Sequence, residues 1–215
     1  MNSRQPVSAQ AMTAVRTAIC IAAALWFVMF SPWTAPHLNF WFAMTLSALT
    51  LTTLSTLWCR EWLADLRPSA SQLLTGLAIA FVLWWVFWTG DKVSQWMFSF
   101  ARPEVDLIYD MKDGNSPLVV GLLLFLIIGP AEEIFWRGFV QRRLSQRWGA
   151  NAGFVATLFF YTVIHVWSLN FMLIMAAMVV GGCWGLIYRL RPQWLTALIV
   201  SHAVWDACAF VIFPF

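Results

Sequence analysis

Residues 118–143 read LVVGLLLFLIIGPAEEIFWRGFVQRR. The run from Leu118 to Val140 is long enough to cross a hydrocarbon core of about 30 Å at about 1.5 Å per residue. It opens without a single polar side chain, yet it contains Glu132, Glu133 and Arg137. Each charge placed at the centre of a bilayer costs about 2.5–3.5 kcal/mol on insertion scales. A segment that is apolar enough to enter lipid and still keeps three charges must pair them or use them.

Six further apolar runs flank this one: Ala14–Phe30, Leu38–Trp58, Ser71–Thr89, Ala152–Trp167, Phe171–Tyr188 and Trp194–Phe213. The composition agrees, with 61% hydrophobic and 11% charged residues against about 45–50% and about 25% in soluble domains. Fifteen Trp and 18 Phe suit aromatic belts at the two membrane interfaces. The predicted fold is all-α, a polytopic membrane bundle of about seven transmembrane helices with an intramembrane polar cavity. No internal repeat, low-complexity tract or flexible linker divides the chain. Residues 1–215 therefore read as a single transmembrane domain with a motif-bearing core over about 117–215. The first run ends in FSPWTAPHLNF, which has bulky residues where a signal peptide needs small ones, so an uncleaved first span is expected.

The basic residues alternate between the connections. Arg4, Arg16, Arg60, Arg67, Arg142, Arg143, Arg147, Arg189 and Arg191 fall on one side, and Lys92, Arg102 and Lys112 on the other. By the positive-inside rule this predicts a cytoplasmic N-terminus and an extracytoplasmic C-terminus. The net charge of +3 is scattered, so no basic face of the kind nucleic acid requires is present. The four cysteines, Cys20, Cys59, Cys183 and Cys208, are far apart and form no ligand spacing, which suits small buried hydrophobes. The connection from Gly90 to Pro117 is net acidic. Within it Val93, Trp96, Met97 and Phe100 have the spacing of a short amphipathic interfacial helix. Ala177, Gly181 and Gly185 recur every four residues, which suits close helix packing.

Helix geometry divides the two glutamates. Residues four apart lie about 40° from one another around a helix, whereas residues five apart lie about 140° apart. Glu133 and Arg137 therefore share a face and can pair, and Glu132 has no partner on its own helix. A competing reading makes the whole set an end-of-helix ion pair, with Arg137 snorkelling toward the interface. Tyr161 and His165 form an i, i+4 pair in the fifth span, and His202 and Asp206 another in the seventh. His37, beside Pro36 in a loop, has nothing to recommend it. A free Glu, two His and an Asp on three helices suit a general base with oxyanion donors. They suit equally the ligands of a catalytic zinc with one position open. Counted along the helices, Glu132, His202 and Asp206 fall within about two turns of one another, and His165 reads deeper.

In order along the chain these are Glu132-Glu133-Ile-Phe-Trp-Arg137, Tyr161-Thr-Val-Ile-His165 and His202-Ala-Val-Trp-Asp206. The ordered triplet resembles the EExxxR, FxxxH and HxxxN/D motifs of the CPBP family, the CaaX-protease and bacteriocin-processing intramembrane endopeptidases. The resemblance implies a helical fold with a cavity opening into the membrane, and hydrolysis of a peptide bond near the C-terminus of a membrane-associated, lipidated or secreted precursor. It implies that Glu132 activates water with His165 assisting, that His202 and Asp206 are the oxyanion-side or water-positioning pair, and that Glu133, Arg137 and Tyr161 are supports. Tyr161 stands where Phe is usual. Asp206, if ionised, has no proton to donate to an oxyanion, so it is protonated or it orients His202. The expected partners are a protein or peptide substrate and the bilayer, with no nucleic acid and no cofactor. A glutamic mechanism is favoured over zinc, and a bacterial inner membrane is the expected location. A non-proteolytic immunity or scaffold protein on the same fold is the alternative. An ion-coupled transporter is a third reading, but the inverted repeat that would favour it is not found.

Overall fold

The computed structural model describes residues 8–215. Arg4, counted above for orientation, lies outside them. The described residues form helices and loops with no strand, and seven helices are long and apolar enough to cross a membrane. We label the helices α1 (Ala9–Phe30), α2 (Phe40–Trp58), α3 (Ala70–Met97), α4 (Ala101–Asp110), α5 (Pro117–Trp148), α6 (Ala150–Ser168), α7 (Phe171–Leu190) and α8 (Pro192–Ile212). All except α4 are the spans. The chain is an integral membrane protein.

Local chemistry explains where the helices begin. Ser8, Asn39, Ser69 and Asn170 each accept a hydrogen bond from the backbone N–H three residues on, which satisfies a donor that the helix itself leaves free. Pro117 opens α5, where a missing N–H costs nothing. Lipid offers no partner for a stray hydroxyl, and α2 meets this internally. Thr45, Ser47, Thr50, Thr53, Ser55 and Thr56 all donate to the carbonyl four residues back.

Two boundaries differ from the expected ones. Helix α3 does not stop at Thr89 but continues to Met97, so Val93, Trp96 and Met97 belong to a span. The amphipathic helix is α4, about two turns later. Gly90 fails to break α3 because the next turn is pinned by Asp91, which is buried and accepts from Lys92 Nζ at 2.9 Å and Gln95 Nε2 at 2.6 Å. Helix α5 likewise runs through Arg142, Arg143 and Arg147, which the sequence reading assigned to a connection. Arg142 pairs with Asp65, and Arg143 reaches Glu61 at 2.9 Å. Gly149, at φ 88°, ends α5 in a backbone conformation that favours glycine.

Helix α5 is irregular at the stretch that matters. Pro130 sits inside it and lacks the N–H that an α-turn needs. The preceding residues, Leu124–Ile128, widen into a π-turn, and Ile134–Gln141 form a second. The glutamate pair therefore lies in one short α-turn, Gly129–Glu133, between two wide ones. Such π-segments arise often at functional sites. Gly129 also sets how closely α8 approaches, because a Cβ there would stand 2.9 Å from the backbone N and Cα of Ala203. Backbone has nowhere to move, so Gly129→Ala is expected to lower stability by about 1–3 kcal/mol. A lower melting temperature in detergent is the measurement, and an unchanged one would contradict this packing account.

Candidate active site

The buried polar centre starts from the Glu133–Arg137 pair. Arg137 Nη1 lies 2.9 Å from Glu133 Oε1, with both residues essentially inaccessible. Arg137 Nη2 donates to the Gly181 carbonyl at 3.2 Å, and its guanidinium lies over the rings of Tyr161 and Trp184. Arg137 thus points into the bundle rather than snorkelling to an interface. The division of the glutamates by helix face is what the geometry has.

His202 enters from α8. Its Nδ1 lies 2.8 Å from the same Glu133 Oε1, and its ring stacks on Trp184 with centroids 3.9 Å apart. A carboxylate only accepts, so Nδ1 carries a proton. The other ring nitrogen, Nε2, lies 3.5 Å from Asp206 Oδ2, one turn further along α8. Glu133 therefore anchors both the arginine of α5 and the histidine of α8. This explains a fully buried carboxylate that faces no solvent.

Glu132 points the other way, as its position on the helix requires. Its Oε2 accepts from the Tyr161 hydroxyl at 2.9 Å, and among the described residues it has no ion pair. Tyr161 is held by the small-residue stripe on α7, where a Cβ on Gly181 would stand 2.6 Å from the Tyr161 ring. The stripe is packing, as expected, but what it packs is the tyrosine that holds Glu132. The extra hydroxyl of Tyr161 thus finds its partner in the candidate base.

His165 lies at the end of α6, where the helix tightens into a 3₁₀ turn. Its Nδ1 is 2.7 Å from the Tyr161 carbonyl, and its Nε2 accepts from Trp26 Nε1 of α1 at 3.1 Å. The sequence reading missed Trp26. It is one of fifteen tryptophans, and no local pattern connects it to a histidine 139 positions away.

Glu132, Tyr161, His165, His202 and Asp206 all line one cavity of about 440 Å³, so the three motifs meet at its polar end. Apart from Asp91 and Ser94, most of the remaining wall is apolar and largely aromatic, including Phe30, Phe40, Trp41, Phe87, Phe171 and Phe210. Tyr109 of α4 joins this wall and donates to the Ala209 carbonyl at 3.1 Å, and burial pushes its phenol pKa up. It therefore stays a neutral hydrogen-bond donor.

The donors do not fit a resident zinc as they stand. Both nitrogens of His165 are engaged, and Nδ1 of His202 is held by Glu133. Among the described residues no three His, Cys, Asp or Glu side chains converge as metal ligands.

Residues 114–208 match the family model of the Rce1-like type II CAAX prenyl endopeptidases. That match supports assigning this chain to the CPBP, or CAAX protease, family. All seven motif residues, from Glu132 to Asp206, lie inside the matched region, and Trp26 lies outside it. No curated protein and no solved structure matches the chain significantly. The seven spans put this chain in the membrane.

Proposed function

We propose that this chain is an intramembrane endopeptidase in which Glu132 activates a water for attack on a peptide bond. The substrate is a membrane-associated, lipidated or secreted precursor protein, cut near its C-terminus. The observation that carries the reading is the separation of roles between adjacent glutamates. Glu133 is consumed by Arg137 and His202, while Glu132 faces the cavity with one oxygen on Tyr161 and the other without a protein partner among the described residues.

In this reading a water on the free oxygen of Glu132 loses its proton to the carboxylate as it attacks the scissile carbonyl carbon. The tetrahedral intermediate carries its negative charge on the former carbonyl oxygen. Collapse breaks the C–N bond, and the proton on Glu132 passes to the departing amine. His202 supplies the oxyanion donor. With Nδ1–H given to Glu133, Nε2 presents a proton when the ring is doubly protonated, and the flat stack on Trp184 suits that cation. Asp206, 3.5 Å from Nε2, then orients the ring rather than binding the oxyanion itself. The apolar wall excludes bulk water, which strengthens each of these interactions.

We propose a metal-independent, glutamic mechanism; what supports it is that among the described residues no three His, Cys, Asp or Glu side chains converge as ligands. Purified protein in liposomes, offered membrane-anchored peptides, is expected to cleave them without stoichiometric zinc. Activity that tracks added zinc would overturn the glutamic assignment. Binding without cleavage would favour the scaffold alternative. We propose a cytoplasmic N-terminus, on the basis of the arginine distribution.

Tyr161→Phe keeps the ring against Gly181 and removes one hydrogen bond to Glu132. The cleavage rate is expected to fall by about ten- to a hundredfold, the scale of one hydrogen bond to a charged group. A complete loss would mean that the hydroxyl itself takes part in the chemistry.

A further inference from the structure

One contact to the site comes from α1, outside the residues that match the family. The Tyr161 carbonyl can only accept, so the proton of His165 sits on Nδ1, 2.7 Å away. Nε2 is left with the only in-plane lone pair of the ring. Trp26 Nε1–H points at it from 3.1 Å, and an indole N–H can only donate. The rings meet edge to face, with centroids 5.8 Å apart at 76°. His165 therefore has no acceptor to offer a water while Trp26 holds this position.

We propose that Trp26 is a positioning residue that caps His165 Nε2 in the resting site and yields it to the nucleophilic water when substrate fills the cavity. Both side chains line the cavity together with Glu132, so a peptide lying against the wall touches the indole. The cap keeps the imidazole in the Nδ1–H form, with its lone pair already directed at a donor. Exchange of an N–H donor for a water O–H leaves the ring and its tautomer unchanged. The assistance that His165 gives to Glu132 rests on the proposed protease function. The capped nitrogen does not.

Diethyl pyrocarbonate acylates a histidine through its lone pair, so it reads the cap without any substrate. Full-length protein in detergent is labelled and mapped by mass spectrometry, with exposed His37 as the internal reference. Trp26→Phe keeps a ring and removes the donor. Labelling of His165 is expected to rise about tenfold, the scale of one hydrogen bond. Phe30→Leu loosens the same wall, 6.1 Å from the His165 ring, but leaves the cap in place and is expected to label like the wild type. Equal acceleration in both variants, or none in Trp26→Phe, would overturn the cap. In cleavage assays Trp26→Phe is expected to raise kcat several-fold with KM within about twofold. A fall in kcat would show a fixed strut and overturn the exchange. Absence of cleavage by the wild type would count against the protease reading, while the labelling result would still decide the cap.

Discussion

Glu132→Gln is expected to lower peptide cleavage by about 10²–10⁴-fold, the range lost when a general base is removed, while leaving the protein as stable as before. The two halves of this expectation have separate causes. Chemistry is lost because an amide does not take a proton from water at any useful rate. Stability is kept because Glu132 makes no ion pair among the described residues, and its one hydrogen bond comes from the Tyr161 hydroxyl. A glutamine side-chain oxygen also accepts that bond, and a neutral amide is cheaper to bury than a carboxylate. Glu132→Asp provides a graded check, since it retains the carboxylate but withdraws it by one methylene from the cavity. Cleavage by Glu132→Asp is expected to lie between that of the wild type and that of Glu132→Gln. The measurements are kcat/KM on a membrane-anchored peptide and the melting temperature of the same preparations.

The neighbouring carboxylate is expected to behave in the opposite way. Glu133→Ala removes the group on which Arg137 and His202 both converge, at 2.9 and 2.8 Å. It leaves a guanidinium and an imidazole N–H buried with no acceptor at that position. Breaking one side of a buried pair costs about 3–5 kcal/mol, because the remaining charge stays desolvated. In lipid no water replaces the lost partner. The measurement is reversible unfolding in mixed micelles, where Glu133→Ala is expected to unfold at markedly lower denaturant. The double variant Glu133→Leu with Arg137→Met removes both charges and is expected to recover much of the loss. An additive loss in the double variant would mean that the pair contributes no coupling. The adjacent glutamates are thus expected to give two signatures, one catalytic and one structural.

How much of this was legible in the sequence depended on whether the signal was local. The seven spans could be read from apolar run length, since the cost of burying backbone in lipid leaves few alternatives to a helix. The assignment of Glu133 to Arg137 followed from a four-residue spacing, which holds even where the helix widens into π-turns around it. The end of α3 was misread because Gly90 looks like a stop. Only the pinning of Asp91 by Lys92 and Gln95 shows why the helix continues through it. The amphipathic segment was placed about two turns early for the same reason. Long-range contacts left no trace. Trp26 meets His165 across most of the chain, and the sharing of Glu133 by α5 and α8 depends on the close approach at Gly129. Nothing in the residue pattern of either helix specifies those distances.

The central claim is that Glu132 activates a water that ends up in the product. The most direct measurement is cleavage of a membrane-anchored peptide by purified, liposome-reconstituted protein in water enriched in ¹⁸O. Each product is read by mass spectrometry, with the Glu132→Gln variant alongside. The account predicts one solvent oxygen in the new C-terminal carboxylate formed by a single turnover of the wild type, and no product from the variant. Equal product from Glu132→Gln, carrying the same label, would contradict it.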